Sequence, residues 1–259
     1  MDMQPWKLSD TCLHAAREVP YDVAVFPVAS TEAHGQHLPY ATDAIETVAI
    51  AEAACAEAWQ QGAKVLLLPC MPYGVNENTL GFPWTVSVRP STLFAVLEDV
   101  VSSLEEHGLR KLLVLNGHGG NELQPALREM CRETAVTVFL CSWYTLVPEL
   151  RRELFPDPGE HADQMETSLL LHLCTDLVHL EWAGEQKARP AAIPALERGE
   201  LWLARPWDRL THDSGLGNPH NASADKGAQY LAGCAERLGQ ILVEVAAAEV
   251  DELFPYREG

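Results

Sequence analysis

Four residues able to bind a cation or move a proton crowd into one short stretch, TEAHGQHLPYATD, at positions 31–43. They are Glu32, His34, His37 and Asp43, and the stretch follows the apolar run VAVFPVA. Carboxylate and imidazole groups together form the ligand set of Zn, Mn and Fe(II). Asp43 has a second explanation, because an aspartate near a helix start can cap backbone N–H groups. Taken alone, the stretch suggests a cation site without establishing one.

A further imidazole comes from His118 in the motif NGHGGN, where glycines stand on both sides of it. Glycines allow a tight turn and a close approach by a ligand, although a hydrogen-bonded imidazole in a glycine turn explains the motif equally. The sequence contains no GxGxxG or GKS/T pattern, so nucleotide phosphate binding is disfavoured. Three ligands with open coordination positions would form a hydrolytic centre rather than a closed structural site.

A third group lies at 161–168, HADQMETS. If a helix begins near Asp163, Glu166 lies in its first turn, where a carboxylate stabilises the positive end of the helix dipole. Glu166 could instead bind a second metal or orient a reacting group, with His161 just upstream as an acid or base. His172, six residues after Glu166, is expected in the core. A serine nucleophile is disfavoured because no GxSxG motif is present.

Four apolar runs rich in β-branched residues predict parallel strands that are covered on both faces. They begin near Asp22, Lys64, Lys111 and Ala135. Segments of helical period lie between them, and a long final helix is expected from Ala222 to about Glu252. The alternation predicts an α/β fold, a three-layer α/β/α arrangement around a mainly parallel central sheet.

The carboxyl ends of parallel strands meet at one edge of a sheet, where such folds bind ligands. TEAHGQH leaves the first strand and NGHGGN leaves the third strand at that edge. The two histidine-bearing loops are therefore expected to converge. The segment 181–221, rich in Pro and Trp, is too long for an ordinary loop and is expected to be functional or interfacial.

The chain has 259 residues and a formal net charge of -19, with a sequence pI near 4.8. One domain over 1–259 is expected. Scattered basic residues and a strongly acidic balance exclude nucleic acid and anionic membrane as main partners. Seven cysteines without CxxC spacing argue against a disulfide framework or zinc ribbon. With no signal-like start or long apolar run, a soluble cytoplasmic protein is expected.

The three motifs together, in their order and spacing, resemble the creatininase (creatinine amidohydrolase) family, as does GLGNPHNASADKG near the end. The resemblance covers about 23–227. It implies a creatininase-like fold and a divalent-metal amidohydrolase that opens a cyclic amide or removes an acyl group from nitrogen. Its substrate would be a small-molecule amide, and its cofactor two Zn, Mn or Fe ions per subunit.

Carried over by position, the resemblance implies that Glu32 and His118 bind one metal and His34 the other, with Asp43 bridging them. His161 matches the family histidine proposed to move protons. Relatives that act on creatinine carry a glutamate where this chain has Gly120, so the resemblance implies that the second metal either loses a ligand or recruits Glu166.

Two further departures weaken creatinine as the substrate: Thr79 stands where many relatives have histidine, and Trp84 replaces a glycine. The family is commonly hexameric, so a homo-oligomer is implied, with Leu201 to Trp207 as a contact between subunits. Two rival functions stay open. One is a metal phosphoesterase, which would need more basic residues near the site; the other is a metal-holding assembly protein without catalysis.

Overall fold

The central sheet has its four strands in the order β2-β1-β3-β4, and all three pairings are parallel. The computed structural model describes residues 4–157 and 159–256. Within these ranges the strands are β1 (Val23–Val28), β2 (Val65–Leu67), β3 (Lys111–Asn116) and β4 (Thr137–Ser142). All four predicted strands and their parallel direction are confirmed.

Helices connect these strands and continue after the last one. In chain order the described α-helices are α1 (Leu13–Arg17), α2 (Thr42–Gln60), α3 (Pro90–Glu106), α4 (Gln124–Met130), α5 (Pro148–Leu154), α6 (Gln164–Cys174), α7 (Pro194–Glu197), α8 (Trp207–Leu210) and α9 (Ala224–Ala247). None of them is long and apolar enough to cross a membrane.

Apolar side chains of neighbouring strand residues point to opposite faces of the sheet and divide the core in two. On β1, Val23 and Val25 belong to a buried cluster with residues of α2, α6 and α9. Ala24 and Phe26 belong to a second cluster, formed with residues of α3 and the region around α4. The sheet is thus covered by helices on both faces, and the predicted three-layer α/β/α fold is confirmed.

Helix α9 ends at Ala247, so the predicted end near Glu252 is wrong. Lys111, at the start of β3, is buried and its Nζ donates to the carbonyl oxygens of Val245, Ala246 and Ala248 at 2.8–2.9 Å. Carbonyls in the last turn of a helix have no partner within the helix. The lysine supplies those partners, and Ala248 leaves the helical conformation.

Two isolated bridges draw distant loops to the carboxyl edge of the sheet. Thr31 pairs with Val86, and His161 pairs with Leu216. The segment 181–221 contains short helices only and supplies Leu216 to the second bridge. Residues that are far apart in the sequence therefore meet above β1 and β3.

Candidate metal centre

Every residue that the sequence predicted for the site lies in one cluster at the carboxyl edge of the sheet, and all of them except the half-buried Glu166 are buried. Glu32 and His34 follow β1, Asp43 lies in the first turn of α2, and His118 follows β3. The remaining two, His161 and Glu166, flank the start of α6. The convergence of strand-end loops places chemistry from four parts of the chain at one point.

The first group of ligand atoms joins Glu32, Asp43 and His118. His118 Nδ1 lies 3.0 Å from Glu32 Oε1 and 3.2 Å from Asp43 Oδ2. One ligand atom from each residue lies within 4.8 Å of the other two, and all three residues are buried. These distances allow a single cation to contact all three side chains.

The second group joins His34, Asp43 and Glu166, whose ligand atoms also lie within 4.8 Å of one another. His34 Nε2 lies 3.0 Å from Asp43 Oδ1. Asp43 therefore presents one carboxylate oxygen to each group. Its position in the first turn of α2 is not used for capping, because both oxygens face imidazoles.

Glu166 has a structural role beside its place in the second group. Asp163 is the N-cap of α6 and accepts from the N–H groups of Met165 and Glu166. Glu166 Oε2 in turn accepts from the N–H of Ala162 at 2.5 Å. Ala162 has a φ of +50°, which is uncommon for a residue other than glycine. The two explanations for Glu166, first-turn cap and ligand, are therefore compatible in one side chain.

Backbone partners determine which ring nitrogen carries the hydrogen in His34 and in His118, the histidines of the two groups. His34 Nδ1 lies 3.2 Å from the carbonyl oxygen of Glu32, and His118 Nε2 lies 3.1 Å from that of Val75. Because a carbonyl oxygen only accepts hydrogen bonds, each of these nitrogens carries a hydrogen. The other nitrogen of each ring then has a lone pair when the ring is neutral, and it faces the carboxylates.

Lone pairs facing carboxylate oxygens repel unless a proton or a cation lies between them. Asp43 Oδ2 is also buried without a hydrogen-bond partner among the described residues. Metal-binding histidines commonly donate their second ring N–H to a backbone carbonyl or carboxylate, as these two do. The donor set, its orientation and the orphaned carboxylate oxygen all fit divalent cations.

Without a cation, protons on the histidines hold these groups together. The pKa values of the histidines and carboxyl groups are shifted accordingly. Burial acts against the charged form of Glu32, but the interactions with His118 and His161 together lower the pKa of Glu32 to about 2. Burial likewise acts against charged His34, yet the Asp43 carboxylate raises its pKa to about 10. The Glu32 and Asp43 carboxylates also raise the pKa of His118 well above its ordinary value, against the effect of burial. A divalent cation would replace these protons.

His161 lies beside both groups and is held differently. Its Nε2 donates to the carbonyl oxygen of Ala33 at 2.7 Å, and its Nδ1 lies 3.9 Å from Glu32 Oε1. Its ring meets the edge of Trp207 at 5.1 Å between ring centroids. Burial, followed by the charge on His34, lowers the pKa of His161 to about 4. His161 is therefore neutral near pH 7, with Nδ1 as its free acceptor.

Two residues outside the predicted set hold the loop of the first motif in place. Thr79 Oγ1 donates to Glu32 Oε2 at 2.5 Å, and Thr79 is buried. Ser214, with a φ of +61°, accepts from the N–H of Gly35 at 2.9 Å and donates to the carbonyl oxygen of Ala33 at 3.1 Å. The sequence singled out Thr79 only as a departure from relatives. Ser214 carries no signal beyond its place before GLGNPHN.

Glu46 is a further buried carboxyl group that the motifs did not indicate. It lies on α2, one turn after Asp43, and neither carboxyl oxygen has a hydrogen-bond partner among the described residues. Burial, then the charges of Glu166 and Asp43, raises its pKa well above the ordinary value. The surroundings of Glu46 therefore favour its uncharged form beneath the cluster.

Two further histidines, His37 in the first motif and His172 after the third, differ in burial. His37 is buried, and its Nε2 lies 2.9 Å from Thr167 Oγ1 on α6, so it links the first loop to the helix that carries Glu166. Burial lowers the pKa of His37 to about 4. His172 is exposed, so its predicted place in the core is wrong; its position on α6 faces away from the buried stripe.

Gly120 has no room for a side chain in this loop. A Cβ atom there would overlap the carbonyl oxygen of Val75 and Nε2 of His118. These two atoms form the hydrogen bond that orients His118. A glutamate at position 120 would therefore disturb a ligand of the first group unless the loop moved.

A cavity of about 960 Å³ opens above the cluster. Its floor includes Glu32, Asp43 and His118, and its opposite wall comes from 202–207 in the long segment. Trp207 is buried beside His161, whereas Trp202 is 83 % exposed. The segment 181–221 thus contributes directly to the site, as its length suggested.

Comparison with known proteins places these features in a family. The family model described as creatinine amidohydrolase, named Creatininase, matches residues 10–242. A crystal structure described as a putative creatinine amidohydrolase from Bacteroides fragilis is 35% identical and has a TM-score of 0.89. The match covers 97% of this chain and 100% of that one.

Two curated relatives carry different names. A creatinine amidohydrolase from Pseudomonas putida is 28% identical over 243 residues, covering 86% of this chain and 89% of its own. A mycofactocin precursor peptide peptidase from Mycobacterium tuberculosis is 29% identical over 220 residues, covering 80% and 79% of the two chains. Proteins similar to this chain therefore differ in the amides on which they act.

Proposed function

The chain belongs to the creatininase family, and from this we propose that it hydrolyses a non-peptide amide, either a cyclic amide or a formamide, at a centre of two divalent metals. Membership makes it a metal-dependent hydrolase of carbon–nitrogen bonds. The ligand assignment, the number and identity of the metals and the substrate are our proposals. The two-metal assignment rests on one observation. His34 and His118 face different carboxylate oxygens of Asp43.

We assign Glu32 and His118 to one metal, His34 and Glu166 to the other, and Asp43 to both. The ligand atoms of each set lie within 4.8 Å of one another; all these residues are buried except Glu166, which is half-buried. Zn, Mn and Fe(II) all suit this mixture of imidazole and carboxylate. Position 120 has no space for the glutamate that relatives carry there. We assign Glu166 to take the place of that glutamate as a ligand.

Divalent cations in such a centre acidify water and polarise the amide carbonyl. The residues around them bind, orient and move protons. Thr79 and the N–H of Ala162 fix one oxygen each of Glu32 and Glu166. His161, neutral and held through Nε2, has Nδ1 available to accept a proton and pass it to the leaving nitrogen. Glu166 is the second residue that we place in catalysis, as a metal ligand or an orienting base.

Creatinine is disfavoured as the substrate by the walls of this site. Thr79 is engaged with Glu32 and leaves no imidazole at that position. Trp84, the other departure, is 85 % exposed with a φ of 65° and does not line the cavity, so it gives no evidence about the substrate. The cavity of about 960 Å³ also lies at the upper end of the volumes that hold drug-sized ligands. These features support a substrate larger than a single small ring.

Of the two rival functions, phosphoester hydrolysis finds little support in the cavity. Its two arginines, Arg151 and Arg205, already lie 3.7 and 2.7 Å from the acidic groups of Asp163 and Glu160. A phosphate would have to compete for them. A metal-holding protein without catalysis is disfavoured because His161 is present and has a free ring nitrogen.

The ligand assignment is tested by metal content and amide hydrolysis together. We expect His34→Ala and Glu166→Ala to fold, to lose part of the metal and to lose turnover of a panel of lactams, formamides and creatinine. Circular dichroism and elemental analysis of each purified protein provide the measurement. Full metal in folded His34→Ala would contradict the two-metal assignment, whereas full metal in Glu166→Ala would contradict the recruitment of that residue alone. Full metal in the wild type with no turnover over the panel would favour the non-catalytic function.

We further propose one catalytic domain over 1–259 in a cytoplasmic homo-oligomer, of which a hexamer is one form. The two apolar clusters share a single sheet, which supports one domain. Leu201, Trp202 and Leu203 are all more than half exposed and stand together, which supports a contact between subunits. Light scattering of the wild type and of Leu201→Ala would test this contact, because Leu201 belongs to this group but does not line the cavity.

A further inference from the structure

A second, smaller cavity of about 290 Å³ adjoins the main cavity at the ends of β3 and β4. Gly119, directly after His118, lines both cavities, as do Glu122 and Tyr144. A Cβ atom at Gly119 would meet nothing within 4 Å, so the space beside His118 is open. A molecule whose reacting amide lies at the metal cluster can therefore extend into the smaller cavity.

The smaller cavity is lined by one acidic and one basic side chain, Glu122 and Arg128. Both are exposed, and neither forms an ion pair with any residue that the structure describes. The arginines of the main cavity differ, because Arg151 and Arg205 both have acidic partners. The two charges of the smaller cavity are therefore available to a ligand.

The rest of its wall combines apolar groups and amides. Leu123, Pro125 and Leu140 provide apolar surface, and Gln124 provides an exposed amide. A short chain of methylene groups would contact the apolar surface and lose water there. Opposite charges at the end of that chain would meet the opposite charges of the wall.

We propose that the smaller cavity binds the free ammonium and carboxylate groups of an amino acid whose side-chain nitrogen carries the reacting acyl group. Glu122 binds the ammonium group and Arg128 binds the carboxylate group, while the amide lies at the metal cluster. This inference rests on the proposed amide hydrolysis. It adds a ligand class, an amino-acid amide, and a recognition site that the metal ligands do not specify.

Four formamides of equal chain length test the contributions of the ammonium and carboxylate groups separately. Nδ-formylornithine carries both, formamidopentanoate only the carboxylate, formylputrescine only the ammonium, and N-butylformamide neither. Their affinities for the protein loaded with zinc are measured by titration calorimetry, and formate release is measured in parallel. We expect each charge to strengthen binding by about tenfold, as hydrogen bonds to charged groups do.

Matched variants locate the two effects. Arg128→Gln should bind Nδ-formylornithine and formylputrescine equally, and Glu122→Gln should bind Nδ-formylornithine and formamidopentanoate equally. The controls are Glu129→Gln and Arg132→Gln, which remove exposed charges on and just after α4 outside both cavities. Both controls should retain the preferences of the wild type.

Equal affinity of the wild-type protein for all four compounds would overturn the inference, and so would an equal loss in the control variants. Both of these outcomes are read from binding alone, without formate release. Selective binding without hydrolysis of these or any other amides would support the recognition site while contradicting the proposed amide hydrolysis. Hydrolysis without selective binding would support the proposed amide hydrolysis and contradict the recognition site.

Discussion

The floor and the opposite wall of the main cavity are built in contrasting ways. On the floor, Glu32, Asp43 and His118 are buried at strand ends and in a helix turn, and each is held by hydrogen bonds. On the wall, the segment 202–207 comes from a long connection with short helices, and Trp202 is 83 % exposed. The rigid side carries groups that any metal-dependent hydrolysis needs, and the looser side can vary with the substrate. From this contrast we expect reaction and selectivity to be set by separate parts of this chain.

Asp43→Asn is the most severe test of the rigid side. Asparagine keeps the shape but removes the charge shared by both groups, so His34 and His118 lose their common partner. We expect no bound metal and no detectable amide hydrolysis, with the fold retained in circular dichroism. If elemental analysis showed that the variant kept both metals, metal binding would not depend on Asp43 and the contrast would be contradicted.

His161→Gln separates proton movement from metal binding on the same side. Glutamine can still donate to the Ala33 carbonyl but has no titrating ring. We expect kcat to fall by about a hundredfold to ten-thousandfold, the usual contribution of a general acid or base. Metal content should be unchanged, and loss of metal would show that His161 is itself a ligand.

Thr79→Val sharpens the contrast by removing the hydrogen bond from Thr79 to Glu32. Valine and threonine side chains have similar volumes, so the packing changes little. Glu32 Oε2 would then be buried without its donor. We expect the metal affinity to fall by about tenfold to a hundredfold, as observed when groups that orient ligands are changed. Competition with a chelator measures it. Thr79→Ser should restore most of the affinity, and failure of that rescue would point to packing instead.

The pH dependence of metal affinity tests the charge state of the floor. The Asp43 carboxylate outweighs burial and raises the pKa of His34 to about 10, so His34 must give up a proton before it binds a metal. Affinity should therefore rise with pH up to about 10, by about tenfold per unit for each proton released. Titrations in buffers of different ionisation enthalpy count those protons. Affinity independent of pH would contradict the assignment.

Trp202→Ala tests the looser wall and has the smallest expected effect. Loss of one aromatic contact should raise KM by about twofold to tenfold for large amides, with metal content unchanged. Trp182→Ala is the matched control, because Trp182 is also exposed and does not line the cavity. A large fall in metal content of Trp202→Ala would show that the wall and the floor are not separate.

The same contrast explains what could be predicted from the sequence. Glu32, His34 and His118 follow apolar runs, and strand ends of a parallel sheet must share one edge, so their meeting could be foreseen. Asp43 was ambiguous, because one turn of helix suits both a cap and a ligand. Burial and two imidazole contacts now favour the ligand.

Other parts of the site could not be foreseen because they depend on long-range placement. Thr79 reaches Glu32 across 47 positions, and Ser214 reaches Ala33 across 181. Neither has a periodic or spacing signal. Trp207 was expected at a contact between subunits together with its neighbours, yet it is buried against His161 within its own chain.

The carbonyl oxygen of Ala33 accepts from both His161 and Ser214, which are 128 and 181 positions away. Closing such long loops is slow in folding, since contacts distant in sequence form after local ones. In a growing chain all five proposed ligands are synthesised before Ser214, and until then the hydrogen bond from Ser214 to Ala33 cannot form. We expect the finished metal centre to be a late product of folding, so that gain of metal affinity marks a completely folded chain.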